Sequence, residues 1–196
     1  MKKQFSDFPY SVIMAISLLM CQHICQGDAV VCGGSECHES RLGDLLVRVT
    51  EGNKEAASIG SYTIALYRGD SDFQDFIAGL VRPRDGGISK VWLTQLDKGK
   101  EPEIIVWMTC AGTGAFGKID IFRFTGDKLV QLESPKEIKL KGGMGHDTFK
   151  MNNGKLFRLI PVYNESDPNS TPTGGTTKLV LDFKNMEWIP VAHYNQ

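Results

Sequence analysis

From Ile59 onward the chain alternates short apolar segments with turn residues, and hardly any stretch repeats its apolar positions at the helical period. This pattern constrains the fold more than any other feature, because segments so short can bury a face only by pairing into sheets. In GSYTIALYR (60–68), Tyr62, Ile64 and Leu66 fall on one side and Thr63, Ala65 and Tyr67 on the other. Such β-branched and aromatic residues suit a pleated surface. Further strands are expected over 73–81, 89–96, 103–110, 118–124, 129–133, 148–151, 155–163, 178–183 and 188–192. TGDK at 125–128, NNGK at 152–155 and KNME at 184–187 supply residues tolerant of positive φ for the connections. The expected fold is all-β, an antiparallel β-sandwich or barrel-like sandwich with long loops at 134–147 and 164–177. Glu103–Cys110 is apolar almost throughout, which predicts a central strand covered on both faces, whereas the alternation in Lys118–Phe124 predicts one wet face.

Ahead of this region the signals differ. Lys2 and Lys3, followed by the apolar run Val12–Cys21, have the form of a secretory signal, with Cys25 and Gly27 as the small residues before a cut after Gly27. The chain then divides into a signal peptide at 1–27, an N-terminal lead-in at 28–58 with one strand or short helix at 42–49, and a β-sandwich domain at 59–196. A lipid on Cys21 is disfavoured, because Met20 is bulkier than the residue expected before a lipid-attachment cysteine. The expected location is periplasmic or secreted, with no transmembrane segment in the mature chain, since no apolar run reaches the roughly 20 residues that a spanning helix requires. Export to an oxidising compartment allows a small disulfide loop between Cys32 and Cys37 in CGGSEC, leaving Cys110 as a thiol at the end of an apolar strand. Balanced charge, 22 Lys and Arg against 23 Asp and Glu, offers no cationic surplus for a nucleic-acid backbone.

Few residues point to chemistry. His146 with Asp147 in a Gly-rich loop and His193 near the C-terminus are read as surface residues, and no local motif selects a pair of carboxylates. LDKGKEPEIIV (96–106) has the outline of a calcium-binding turn, but Lys98 and Lys100 stand where oxygen ligands would be needed, so no metal is expected. CAGTGAFGK (110–118) is different. Gly112, Gly114 and Gly117 alternate with Ala111, Thr113, Ala115 and Phe116 between two strong strands, which predicts a compact protruding loop. Its small residues let the backbone enter a narrow groove, Thr113 offers a hydroxyl, and Phe116 offers a large face with little rotamer entropy to lose. A phosphate cradle is disfavoured because such loops open a helix, and a strand is expected here. A plain Gly-rich hairpin remains the alternative.

In GSYTIALY (60–67), LDKGKEPEIIVWMTCAGTGAFGKIDIF (96–122), HDTFKMNNGKLFRLIPVYNESDPNSTPTGGTTKL (146–179) and Trp188, the chain resembles the periplasmic inhibitors of invertebrate-type lysozyme. The resemblance implies a secreted β-sandwich-like protein whose partner is lysozyme, whose substrate cleft it plugs, and which catalyses nothing and needs no cofactor. It also implies that a loop with a Ser-Gly-x-Tyr pattern enters the cleft and hydrogen-bonds the catalytic carboxyl groups. Here that pattern reads Thr113, Gly114, Ala115, Phe116, so one hydroxyl is kept and the phenolic one is absent. The implied partner-binding loop is Ala111, Gly112, Thr113, Gly114, Ala115, Phe116 and Gly117, with Thr173, Gly174 and Gly175 as a rim. A homodimer is left open. Two other classes stay in view: a secreted module that binds carbohydrate or an envelope protein without inhibiting a hydrolase, and a hydrolase built around His146 or His193.

Overall fold

A computed structural model of the chain describes residues 30–32, 35–70, 74–96, 99 and 101–191. The expected signal peptide at 1–27, His193, and Asp97, Lys98 and Lys100 of the calcium-like turn lie outside the described residues. No helix occurs among the described residues, and every named strand pair is an antiparallel neighbour in sequence.

Three meandering sheets result. The first comprises β1 (Val30–Cys32), β2 (Ser35–Leu42), β3 (Leu45–Glu51), β4 (Ile59–Gly69) and β5 (Gln74–Asp85), in that order. The second comprises β6 (Gly87–Thr94), β7 (Glu103–Thr109), β8 (Gly117–Phe124) and β9 (Leu129–Gln131). The third comprises β10 (Thr148–Asn152), β11 (Lys155–Pro161), β12 (Thr176–Asp182) and β13 (Glu187–Pro190). The turns follow the chemistry expected of them: Asn153 and Gly154 both have positive φ between β10 and β11, and Thr125 N–H donates to the Lys128 carbonyl at 3.0 Å across the β8–β9 turn.

The 28–58 segment, expected as a lead-in, supplies three strands of the first sheet. Its polar text hides this, because Cys37 and His38 in β2 are buried while their neighbours carry charge. The β1–β2 register sets Cys32 opposite Ser35 and Cys37 opposite Val30; the Cys32 side chain lies outside the described residues.

The second sheet is the middle layer. Val47, Val49, Ile64 and Leu66 of the first sheet share one core with Val91, Ile104, Val106 and Phe122. On the opposite face, Ile105, Ile119 and Ile121 share a second core with Phe149, Leu156, Leu179 and Trp188. Stacked Trp92 and Trp107, and then Phe149 and Trp188, carry ring contacts from the middle sheet into the third. β7 is therefore covered on both faces, as its near-continuous apolar text predicts. β8 departs from expectation: its supposed wet face is dry, with Asp120 and Phe122 buried beside Ile119 and Ile121. The physical reason is a partner distant in sequence, since the Tyr62 hydroxyl donates to Asp120 Oδ2 at 2.6 Å and relieves the cost of burying the carboxylate. Burial, reinforced by this bond, pushes the Tyr62 phenol far above its ordinary range, so it remains a donor.

Tyr62→Phe removes that donor without removing the ring. The expected loss is about 1–3 kcal/mol of unfolding free energy in urea titration, because a buried carboxylate oxygen is left without its partner. His38 gives a pH signature. Burial outweighs the raising influence of Glu51 and Glu36 and lowers its pKa from the ordinary 6.5. The neutral ring's stabilising contribution is thus present above 6.5 and is lost as pH falls through the lowered folded-state value. Between about pH 7.5 and about pH 5.5 the wild type should lose more stability than His38→Leu, as read from urea midpoints.

Candidate functional site

The β7–β8 hairpin ends its ladder at the Thr109–Gly117 pair, and the chain beyond forms a short finger. Cys110 N–H donates to the Phe116 carbonyl at 3.0 Å, closing the base. Ala115 N–H donates to the Gly112 carbonyl at 2.9 Å, closing a tight turn with Thr113 at its apex. Ala115 adopts φ 41°, a left-handed conformation uncommon outside glycine. Ala111, Gly112, Thr113 and Phe116 are exposed, while Gly114 and Ala115 are half-buried. Phe116 is 53% exposed, in contrast to the buried rings of Phe122, Phe124 and Phe149.

Gly117, the last residue of the expected contact loop, is not on the finger's surface. It is buried in β8, where an added Cβ would lie 2.7 Å from the Phe149 ring and 3.1 Å from the Asp147 carbonyl oxygen. It serves as the close-packed base of the finger, and the presented surface ends at Phe116.

Two loops brace the finger. The one before β10 passes alongside, and its His146 N–H donates to the Gly114 carbonyl at 2.7 Å. Gly145 has φ +99°, and a Cβ there would overlap the Gly114 carbonyl, so only glycine permits this approach. Gly114 itself sits between the Phe116 ring and the Met144 carbonyl. Met144, whose carbonyl lies against Gly114, is 45% exposed and presents a second apolar side chain on this bracing loop. Asp147, expected at the surface, is buried, and accepts Arg158 Nη2 at 2.5 Å and Nε at 2.8 Å. The Arg158 guanidinium also lies over the Phe149 and Trp188 rings. That carboxylate is committed to holding the third sheet and does not orient His146 for catalysis.

The second brace is the 164–175 loop between β11 and β12. Asn169 Nδ2 donates to the Thr113 carbonyl at 2.6 Å. Of the expected rim residues, Thr173, Gly174 and Gly175 are exposed, but the Thr173 hydroxyl is engaged internally, donating to Asp167 Oδ1 at 2.7 Å and accepting Asn164 Nδ2 at 2.8 Å. These bonds from Thr173, with the Asn164 backbone, hold the Asp167 carboxyl below the usual carboxylate range. Gly174 packs against the Val162 backbone. Cys110 keeps a thiol that burial pushes up in pKa, with Sγ 3.7 Å from the Asp85 carbonyl oxygen, so it stays protonated at the finger's base.

Chemically the site offers one exposed hydroxyl, two exposed apolar side chains and a fixed backbone, an arrangement suited to entering another molecule's groove. Sequence reasoning located the finger but missed Met144 and Asn169. The length and Asn/Asp/Thr content of the later loop were the available signal for Asn169, and nothing local distinguished Met144.

Comparison with known proteins agrees with the resemblance. No curated protein matches the sequence. Among solved structures, the PliI of Aeromonas hydrophila in complex with Meretrix lusoria lysozyme is 38% identical over 45% of this chain and 74% of its own, with a TM-score of 0.40. PliI-Ah, the periplasmic lysozyme inhibitor of I-type lysozyme from the same organism, is 34% identical over 52% of this chain and 93% of its own, with a TM-score of 0.42. A family model described as periplasmic lysozyme inhibitor of I-type lysozyme matches residues 42–145, a span from the end of β2 through the finger to Gly145. By that match, which takes in more than half of its length, the chain belongs to the family of periplasmic inhibitors of I-type lysozyme.

Proposed function

We propose that the chain inhibits an I-type lysozyme by occlusion, with the 111–116 finger seated in the enzyme's sugar-binding groove and no reaction carried out by the inhibitor itself. The observation that carries the proposal is the exposure of Thr113 and Phe116 at the tip of a finger braced from two sides. Bracing matters because a loop already in its bound shape loses less conformational entropy on association. The Thr113 hydroxyl donates to a catalytic carboxyl group, a charged hydrogen bond contributing about 1.5–3 kcal/mol. Phe116 and Met144 line the groove wall, where burial of each apolar side chain contributes a comparable amount. Thr173, Gly174 and Gly175 shape the neighbouring loop and supply rim surface.

Lysis of bacterial cells by a purified I-type lysozyme, followed by turbidity with increasing inhibitor, tests this reading. Wild type should inhibit, and Thr113→Ala with Phe116→Ala should weaken binding by about 100-fold or more, as expected when a central anchor and its polar neighbour are lost. Phe116→Tyr should improve inhibition by restoring a hydroxyl at the tip. Inhibition unchanged in all three would overturn insertion. Binding of the wild type to oligosaccharide without inhibition would favour a carbohydrate module instead.

Gly145→Ala tests the brace beneath the tip. Its methyl group collides with the Gly114 carbonyl in a left-handed position, so inhibition should weaken by about tenfold or more while far-ultraviolet circular dichroism stays that of the wild type.

A further inference from the structure

The finger's turn contains Gly112 and Gly114, the two residues least able to fix a backbone. Between them stands Thr113, the residue whose hydroxyl direction matters most to the proposed insertion. The ladder and the His146 contact reach Phe116, Ala115 and Gly114, but the Thr113 peptide is held from elsewhere. Its carbonyl accepts Asn169 Nδ2 at 2.6 Å, a bond spanning 56 residues of sequence.

Asn169 is itself fixed. Its carbonyl accepts the hydroxyl of Tyr163 at 3.0 Å, and Tyr163 is buried at the exit of β11. The loop is tied around Asp167, whose Oδ2 accepts Asn164 N–H at 2.8 Å and Thr173 N–H at 2.7 Å. The path from the third sheet to the fingertip is therefore continuous: Tyr163, Asn169, Thr113. Asn169 also lies outside residues 42–145, the span matched to the family.

We infer that Asn169 is a positioning residue of the inhibitory finger, fixing the Thr113 peptide so that its side chain meets the lysozyme carboxyl group already aligned; the inference rests on finger insertion as the mode of inhibition. A carbonyl held by a buttressed amide restricts the rotation of the peptide plane between Thr113 and Gly114, while the Gly112 carbonyl, accepting Ala115 N–H, holds the plane before it. Without it, the glycines on either side let the apex sample other orientations, and the complex must order it at the cost of affinity. The amide acts through Thr113 and not as a contact to the enzyme.

The experiment is a double-mutant cycle on the mature protein against a purified I-type lysozyme, using wild type, Asn169→Ala, Thr113→Ala and the double variant, with amide hydrogen exchange on the free inhibitors. Asn169→Ala should weaken inhibition about tenfold, with thermal midpoint unchanged and faster exchange at the Ala115 amide. Asn169→Asp, which sets an acceptor against the Thr113 carbonyl, should weaken it at least as much. In the Thr113→Ala background the Asn169→Ala effect should shrink to about twofold or less, because the hydroxyl it aligns is gone. Full additivity would mean that Asn169 touches the enzyme directly and would overturn the inference, as would wild-type affinity in Asn169→Ala. If wild type itself fails to inhibit, finger insertion fails and the inference falls with it. If wild type inhibits and the cycle shows no coupling, only the inference fails.

Discussion

The strand pair β7–β8 cannot be left wet on either side. Ile104, Val106 and Phe122 face one way, Ile105, Ile119 and Ile121 the other, and all are buried. A single sandwich partner would leave one of these rows in water, at roughly 1.5–3 kcal/mol for each large side chain. The third sheet removes that exposure, and much else in the molecule follows. A hairpin in a middle layer leaves the stack with protein on both sides of it. The third sheet brings its own loops to that end: the glycine-rich segment leading into β10 and the 164–175 loop between β11 and β12. Both reach the finger, through His146 and Asn169. The covering required by an apolar strand thus also supplies the supports of the projecting tip.

Buried polar pairs add to the apolar packing, one between layers and others within them. Tyr62 of the first sheet meets Asp120 of the middle sheet. Glu103, fully buried in β7, holds Arg123 of β8 at 3.0 Å and accepts Leu96 N–H at 3.0 Å, while Arg123 lies over Phe183 beyond the third sheet's β12. Arg158 of β11 grips Asp147 at the end of the loop that braces Gly114. Each pair includes a group that would be costly to bury alone. Tyr62–Asp120 crosses from the first sheet to the middle one, so sliding these two layers would break it, while Glu103–Arg123 and Arg158–Asp147 fix strands within the middle and third layers. Apolar cores tolerate small shifts, whereas the Tyr62–Asp120 bond prescribes one register between the first two layers. The third layer, which carries the finger's supports, is set against the middle sheet by the shared apolar core, the Trp107–Phe149 ring contact and Arg123 over Phe183.

This explains what could and could not be read in the sequence. β7 was legible because its text is apolar on both faces, and the β10–β11 hairpin because NNGK carries its turn chemistry locally. The protrusion of the 110–117 segment was legible because glycines cluster between two strong strands, although the same text fits a plain Gly-rich hairpin. β8 misled because Asp120 and Lys118 look like solvent markers, and only the distant Tyr62 makes one of them an interior residue. β2 was obscured in the same way, with Cys37 and His38 buried amid charged neighbours. Asp147 too was unreadable without Arg158. Asn169 belongs to the same class, since its role is defined by a carbonyl 56 residues away. Local pattern reports which face of a strand is apolar; it does not report where a buried polar group finds its partner.

The tip itself poses a trade. Under the proposed insertion, Phe at 116 forgoes the phenolic hydroxyl of the Ser-Gly-x-Tyr pattern and with it a charged hydrogen bond of about 1.5–3 kcal/mol. Two features of this chain act in the opposite direction. Met144, exposed on the loop that braces Gly114, offers further apolar surface, with a thioether that adapts to aromatic groove walls. The braces at Gly114 and Thr113 reduce the ordering required on binding, which is a saving made before any contact forms. Affinity can then be retained while its character changes, from directional bonds to carboxyl groups toward shape and apolar fit against the groove. An inhibitor of that character discriminates among lysozymes less by their catalytic acids, which the reaction obliges them to share, than by the walls around those acids. Under the proposed insertion, selectivity would therefore follow the apolar surface at the tip, and Thr113 would supply the common element.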